Sequence, residues 1–256
     1  MTTSHIAPLP HLQLPVLSTF PEGKAQPETN RHANRADDGV FRLELAFLNR
    51  SRQIIYRIQQ GAKRAFDIIA ASLGLLLISP LLLVIALLVK LTSPGPVLYT
   101  SQRIGKNYQP FGMYKFRTMT TDADARRDAL RKQANLEDGL FKMENDPRVT
   151  SFGKFLRALS LDELPQLFNV VKGEMSLVGP RPLPPDESGL FQDPYTLRFQ
   201  VYPGITGQWQ VSGRSNLKFD QLCKLEMDYV LGWSLLADLQ ILLKTLPAVL
   251  ASRGAY

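Results

Sequence analysis

The chain has 256 residues, 45% of them hydrophobic, and a formal net charge of +7. That length and apolar content suffice for one or two domains with a buried core, and the positive balance points to an anionic partner: nucleic acid, anionic lipid or a phosphorylated substrate. The lone cysteine, Cys223, excludes an internal disulfide, and the three histidines, His5, His11 and His32, all lie in the N-terminal stretch, so the body of the chain has no imidazole for Ser-His-Asp or Cys-His catalysis or for a histidine metal site. Its chemistry must come from carboxylates, Arg, Lys, Tyr, Ser and hard cations.

Residues 1 to 40 are rich in Pro, Thr, Asn and charge without apolar periodicity, which predicts a disordered tail. No basic run leads into an apolar one there, so a signal peptide is not expected. Residues 41 to 64, from "FRLELAFLNRSRQIIYRIQQ" onward, form a basic amphipathic pattern. Such a helix lies either in solvent or on a membrane surface, and the segment that follows favours the membrane. Residues 65 to 91 contain "IIAASLGLLLISPLLLVIALLV", Ile68 to Val89, with no charged residue. As one helix at about 1.5 Å per residue it measures roughly 33 Å, enough to cross a bilayer. Pro80 leaves the Leu76 carbonyl without its helical donor, and Ser79 can return a hydroxyl to that turn. Both flanks are basic, with Lys63 and Arg64 before and Lys90, Arg103 and Lys106 after. Positive residues stay cytoplasmic, so the expectation is a re-entrant helix-break-helix hairpin with its turn at Ser79-Pro80.

Residues 92 to 256 read as a cytoplasmic catalytic domain. Two short strands, "VLYTSQRIG" and "FGMYKFRTM", flank the turn-rich "KNYQP". Strand alternation places Lys115 and Arg117 on one face, Tyr114 and Phe116 on the other. A polar helix follows over "TDADARRDALRKQANLEDG", then helices near 151 to 159 and 163 to 172 that Gly173 ends. A loop region rich in Pro and Gly runs from 179 to about 215, and the C-terminal stretch is an amphipathic helical pattern. The fold class expected is α-rich α+β: a membrane hairpin, amphipathic interfacial helices and a small β-hairpin around the catalytic part.

The most informative stretch is "LRALSLDELPQLFNVVKGEMSLVGPRP". Ser160 to Glu163 matches a capping box, the purely structural explanation of the acids. Pro165 opposes it, because with Ser160 as N-cap the proline would fall where its missing N–H is needed. A helix starting near Asp162 puts Pro165 in the first turn, where donors are orphaned anyway. Asp162 then sits at a helix N-terminus, and Glu163 beside it repels it unless a cation intervenes. A hard divalent cation such as Mg²⁺, ligated by Asp162 and Glu163, meets that need. Arg157 precedes the pair. In "GPRP", Arg181 is held between prolines, pre-organised for bidentate phosphate contact. "PGITGQWQVSGRS" adds Gly204, Gly207 and Gly213 for close backbone approach and Arg214 as an anion ligand. A carboxylate, Mg²⁺ and arginines are the equipment of phosphoryl transfer.

The stretches "KRAFDIIAASLGLLLISPLLLVIALLVKL", "KFRTM", "DPRVTSFGKFLRALSLDELPQLFNVVKGEMSLVGPRP" and "PGITGQWQVSGRS" resemble the bacterial sugar transferases, the monotopic phosphoglycosyl transferases that load a phosphosugar onto polyprenyl phosphate. The likeness covers residues 61 to 256, and the ending resembles the exopolysaccharide-initiating branch in a short form without the multi-span N-terminal region. The resemblance implies Asp162 as nucleophile and Glu163 as its metal-associated partner. It puts Arg157, Arg181 and Arg214 on phosphate-binding positions, and Lys63, Arg64, Ser79 and Pro80 on the re-entrant membrane helix. Lys115 and Arg117 in "KFRTM" join the phosphate ligands. Gln208 departs from the apolar residue usual at its place.

The implied reaction is two-step: Asp162 attacks the β-phosphate of a UDP-sugar, releasing UMP, and polyprenyl phosphate then accepts the hexose phosphate. Its partners are the UDP-sugar, the carrier, membrane lipid and the downstream glycosyltransferases that consume the product. The reading admits a homo-oligomer and involves no nucleic acid, at the cytoplasmic face of the bacterial inner membrane. Galactose or glucose is the expected hexose. Two other readings compete. A metal-dependent glycosyltransferase would hold Mg²⁺ on Asp122 and Asp124 and release UDP, although Asp at a helix start is usually a cap. A membrane-tethered basic binding protein would use residues 151 to 172 on nucleic acid, but that stretch has few base-reading side chains.

Overall fold

The computed structural model describes residues 31–126, 130, 146–213 and 217–250. The chain divides into two compact units, Met1–Ile54 and Ile55–Tyr256. In the first, the described part is helical from Arg31, so the helix begins inside the stretch expected to be a disordered tail. Alanines and arginines there extend the downstream helical pattern, since adding a residue to an existing helix costs far less than starting one. The expectation for residues 1 to 30 lies outside the described residues, as does most of the polar helix expected after Thr121.

The second unit is α-rich with two small sheets. Helix α1, Arg31–Thr92, carries the apolar segment. From Gln53 to Thr92 its most apolar 18 residues have a mean hydropathy of 2.8, and only 11% of them are buried in the protein. A stretch so apolar and so uncovered is a candidate membrane anchor. The helix runs through Pro80 without a gap. The two arms expected on either side of a break therefore belong to one continuous helix. The Ser79 hydroxyl donates to the Leu76 carbonyl at 2.8 Å, replacing the bond that proline removes.

Strands β1, Leu98–Ile104, and β2, Pro110–Phe116, form the expected antiparallel hairpin, in register from Leu98 opposite Phe116 to Ile104 opposite Pro110. Helix α2, Ser151–Ala158, starts at Thr150, whose hydroxyl accepts from the Gly153 N–H. A 3-10 turn, Leu161–Glu163, leads into helix α3, Gln166–Lys172, which Gly173 ends at φ 92°. Then come β3, Ser176–Val178, the short helix α4, Pro185–Ser188, a 3-10 stretch at Tyr195–Gln200 and β4, Gly204–Thr206. Strands β3 and β4 pair in parallel. Helices α5, Gln208–Ser212, α6, Phe219–Leu231, and α7, Leu235–Leu250, complete the unit.

Both ends of the apolar helix are fastened to this unit. On the N-terminal side, Lys63 donates to Asp238 at 2.5 Å and to the Val178 carbonyl at 3.1 Å. Arg64 donates to the carbonyls of Val170 and Met175, capping the C-terminal end of α3. Ala71 is buried in a cluster with Phe111, Met113, Val170 and Met175. On the C-terminal side, Ile85 and Val89 are buried in a second cluster with Phe116 and Leu156, against which Leu161 and Leu164 also pack. Between these points Leu73, Leu76, Leu77 and Leu83 are exposed.

Candidate active site

The second cluster forms the floor of the acid pair, because Leu161 and Leu164 bracket Asp162 and Glu163 in sequence. Ser160 sits at φ 55°, in the left-handed region, and its side chain caps nothing. The capping-box explanation is thus not realised, and Pro165 immediately precedes α3, as its missing N–H requires.

The two carboxylates have opposite environments. Glu163 Oε1 accepts from Lys115 Nζ at 2.7 Å and from Arg181 NH2 at 2.8 Å. Burial works against its anion, but Arg181 and Lys115 outweigh burial and hold the carboxyl well below its ordinary range. Asp162 is only 6% exposed, and among the described residues none donates a hydrogen bond to its carboxylate. Burial, reinforced by the Glu163 charge, raises its pKa against the pull of Lys115, Arg157 and Arg181. One acid is clamped and the other is bare.

Each basic residue is placed by a different element. Lys115 comes from β2, whose N–H at Tyr114 donates to Asn169 Oδ1 at 3.0 Å. Arg157 ends α2, where its Nε donates to Thr118 Oγ1 at 3.0 Å. A side chain at Gly153 would put its Cβ 2.1 Å from the Thr118 carbonyl oxygen, so only glycine lets α2 lie this close. Arg181 projects from the loop after β3, and its backbone is gripped on both sides. Its N–H donates to Glu226 at 3.1 Å, and its carbonyl accepts from Arg198 at 2.5 Å. Arg198 and Glu226 form a buried ion pair, Nε to Oε2 3.0 Å, with each side chain 3% exposed.

The structure therefore brings together Asp162, Glu163, Lys115, Arg157 and Arg181. Arg117 does not join them. It is the first residue beyond β2, so the alternation that pairs it with Lys115 has ended, and its guanidinium instead clasps the carbonyls of Ser93 and Pro94 at the end of α1. Arg214 lies outside the described residues. Gly204 and Gly207 do make a close backbone approach, but to the backbone at Gly179 rather than to a ligand cradle: a Cβ at Gly204 would lie 2.1 Å from the Gly179 nitrogen. Asp122 and Asp124 are engaged locally, the first with Arg126 at 3.6 Å and the second by the Tyr99 hydroxyl at 3.1 Å.

Three residues escape a reading of the sequence. Arg198 and Glu226 hold the Arg181 loop, and the available signal is a glutamate on the buried face of an amphipathic helix. Arg103, on β1, reads as a membrane-flanking charge, yet it stands within the electrostatic field of Arg181, Glu187 and Glu163.

The donor set fits a hard divalent cation on one condition. Both clamping contacts fall on Glu163 Oε1, which leaves Oε2 and the Asp162 carboxylate as oxygen ligands. Among the described residues no third acid joins them, so water and substrate phosphate must complete the shell, as is usual for Mg²⁺.

Residues 58–252 match the model of the bacterial sugar transferase family. The exopolysaccharide production protein ExoY of Rhizobium meliloti is 46% identical over 202 residues, covering 76% of this chain and 88% of that protein. An undecaprenyl-phosphate galactose phosphotransferase of Salmonella typhimurium is 40% identical over 224 residues, 85% of this chain and 46% of its own. An undecaprenyl-phosphate glucose phosphotransferase of Komagataeibacter xylinus is 42% identical over 205 residues, 76% of this chain and 37% of its own. With the family match spanning most of the described unit and its acid pair, the chain belongs to the bacterial sugar transferase family.

Proposed function

We propose that the chain transfers a hexose 1-phosphate from a UDP-sugar to polyprenyl phosphate through a covalent intermediate on Asp162. In the first step an Asp162 oxygen attacks the β-phosphorus, and the bond to the bridging oxygen breaks with its electron pair on UMP. In the second, an oxygen of the carrier phosphate attacks the same phosphorus and the Asp162–phosphorus bond breaks, restoring the carboxylate. Neither step calls for proton abstraction from the attacking group, which agrees with a site without histidine. The observation that carries the assignment is the contrast within the acid pair: Asp162 has free lone pairs and a raised pKa, whereas Glu163 is tied to two cations. A more basic carboxylate is the better nucleophile. Asp162 and Glu163 would hold Mg²⁺, which when bound supplies neutralisation of pyrophosphate charge.

Relatives named for galactose and for glucose match at 40% and 42% identity, which supports a hexose donor of one of these two kinds. The carrier and the exopolysaccharide role follow the relatives' names in the same way.

The same reading puts α1 into the bilayer and out again on the cytoplasmic face. A Cβ at Gly74 would lie 3.8 Å from Leu167, while Ile85 and Val89 belong to the cluster that Leu164 packs against. The reading takes these as one arm on each side of Pro80, both seated on the same unit, with a proline bend between them. Along α7, Leu236, Leu239, Leu243 and Leu246 are exposed at helical spacing, the pattern of a helix lying in the interface.

Intact-mass spectrometry after incubation with UDP-sugar alone tests the mechanism. Wild-type protein should gain one hexose phosphate and Asp162→Asn none. An adduct that survives Asp162→Asn sinks the assignment.

A further inference from the structure

Lys115 reaches Glu163 from β2, so its place depends on what holds that strand. One edge of β2 pairs with β1, and its other edge faces α3. A strand edge without a neighbouring strand presents N–H and C=O groups that still need partners. Here one side chain serves both. Asn169 Oδ1 accepts from the Tyr114 N–H at 3.0 Å, and its Nδ2 donates to the Gly112 carbonyl at 2.8 Å. The other Nδ2 proton goes to Glu174 Oε2 at 2.7 Å. A backbone N–H can only donate and a carbonyl only accept, so these partners dictate which way the amide faces. The residue is fully buried, at 0% exposure. An Asp here would turn an anion toward the Gly112 carbonyl and Glu174, and a Leu would satisfy none of the three.

Asn169 is tied as firmly to the acid pair as it is to β2. From Glu163 onward the backbone stays helical: Leu164 and Pro165 both have right-handed helical angles, and α3 begins at Gln166. The Leu167 N–H donates to the Leu164 carbonyl and the Phe168 N–H to that of Pro165. At the far end of α3 the Asn169 carbonyl accepts from the N–H groups of Gly173, Glu174 and Met175. Lys172 closes the arrangement from outside, pairing with Glu174 at 3.1 Å and donating to the Tyr114 hydroxyl at 3.1 Å. The acid-bearing turn, α3 and the amide are thus one stiff piece. That piece is joined to β2 twice, by Asn169 at Tyr114 and by Glu163 at Lys115, the very next residue.

We propose that Asn169 is a positioning residue for the transfer reaction: its amide sets the register of β2 against α3 and so holds Lys115 Nζ on Glu163. It touches no substrate. The inference deepens the two-step reading and rests on it, because it takes the acid pair to carry the chemistry. The two joints differ in kind. The Lys115–Glu163 contact is an ion pair inside the site, and a cation or phosphate arriving there competes for both of its members. The Asn169 joint is neutral, buried and made to backbone, so an incoming charge does not compete for it. Lys115 therefore keeps its place when its partner is drawn away. Arg157, anchored on α2 through Thr118, is positioned independently of this joint.

The test uses the full chain in lipid nanodiscs, with UDP-galactose and UDP-glucose as donors. Displacing a positioned group by about 1 Å can cost on the order of a hundredfold in rate, so Asn169→Leu should slow adduct formation about tenfold or more. Thermal stability should fall as well, which a purely structural role would also produce. The deciding readout is therefore a double-mutant cycle. In a Lys115→Met background, where the positioned group is already gone, Asn169→Leu should cost less than about twofold. In an Arg157→Gln background it should cost its full factor. Equal losses in the two backgrounds would make the role merely structural and overturn the proposal. Hydrogen exchange read by mass spectrometry needs no turnover: Pro110–Phe116 should exchange faster in Asn169→Leu while Ser151–Ala158 keeps the wild-type rate. An unchanged strand would equally overturn the assignment. Asn169→Ser, which leaves room for water to solvate the freed backbone groups, carries the same readouts if the Leu variant fails to fold. Wild-type protein that makes the lipid product without an adduct would refute the two-step reading; the same cycle read on product formation then decides the positioning role.

Discussion

Replacing Glu226 by Gln removes one charge from beneath the Arg181 loop while keeping an oxygen for the Arg181 N–H. The Arg198 guanidinium then stays buried, 5% exposed, without its counter-ion. Breaking a buried pair from one side costs about 3–5 kcal/mol, because the surviving charge is uncompensated. Two contacts survive here: Arg198 still donates to the Arg181 carbonyl, and its Cζ lies 4.2 Å from the Phe191 ring centroid. The lower figure, about 3 kcal/mol, is therefore expected, equivalent to a Tm loss of about 6–12 °C for a unit of this size. Thermal unfolding in nanodiscs reads that loss, and UMP release reads the function. The double replacement Glu226→Leu with Arg198→Met should regain most of the stability, since substituting a whole buried pair by apolar groups is close to neutral. It should not regain activity, because both grips on the Arg181 backbone are gone. A Tm loss under about 2 °C for Glu226→Gln would show that the pair contributes no buried charge balance. A fully active double variant would refute the claim that it positions Arg181.

Arg181→Lys keeps a charge beside Glu163 but cannot span two oxygens, so turnover should drop by about tenfold or more with little change in Tm, read by UMP release against thermal unfolding. Gly153→Ala should push α2 off Thr118, costing about 1–3 kcal/mol by overpacking and slowing adduct formation through Arg157, both absent if the helix merely slides. At Asp146, burial works against the anion, but the Arg148 hydrogen bonds and charge lower its pKa below the usual value. The stabilisation is thus full above about pH 4, the unfolded value, and is lost as pH falls through the folded one. Asp146→Asn should lower Tm at pH 7 and leave it unchanged in strong acid; an equal loss at both would refute the charge argument. For topology, cysteines placed singly at Ser51 and Ser101 in a Cys223→Ser background should both resist an impermeant thiol reagent added outside intact cells. Labelling of Ser51→Cys alone would mean that α1 crosses.

Local signals were legible because they depend on near neighbours. The β-hairpin follows from alternation around a turn, α3 ends at a glycine that can take φ 92°, and the Ser79 hydroxyl finds the carbonyl that Pro80 orphans. The acid pair and Arg181 stand out by residue chemistry, Lys115 and Arg157 only through the family resemblance, and the hairpin and the two helices bring the five together. Arg117 was misplaced because alternation holds only while the strand lasts, and β2 stops at Phe116. The glycines after Pro203 carry a signal for close approach, but spacing does not say what approaches, and here it is the loop backbone at Gly179. Arg198 with Glu226, and Lys63 with Asp238, are partners far apart in sequence. No periodicity encodes such a pairing; in the sequence Lys63 shows only as a charge flanking the apolar segment, and Arg198 only as a charge in a loop region.

The fastening of α1 gives the membrane segment a share in the site. Its first part holds β3 through Lys63, which bonds the Val178 carbonyl, and Tyr229 and Asp238 close the same buried network. Three residues after Val178 comes Arg181, one of the two cations on Glu163. Its last part, through Ile85 and Val89, packs with Phe116, Leu156 and Leu164, which adjoin Lys115, Arg157 and Glu163 in sequence. Arg117 then locks the end of β2 to the end of α1. The half of the site built on the Arg181 loop and the half built on α2 and β2 are thus each seated on a different part of one helix. A change in the angle of α1 at Pro80 would move those halves relative to each other, so the geometry of this candidate membrane anchor and the cation geometry around Glu163 are mechanically one property. On the proposed two-step reading, that coupling suits a reaction whose soluble donor and lipid-borne acceptor meet at the same phosphorus.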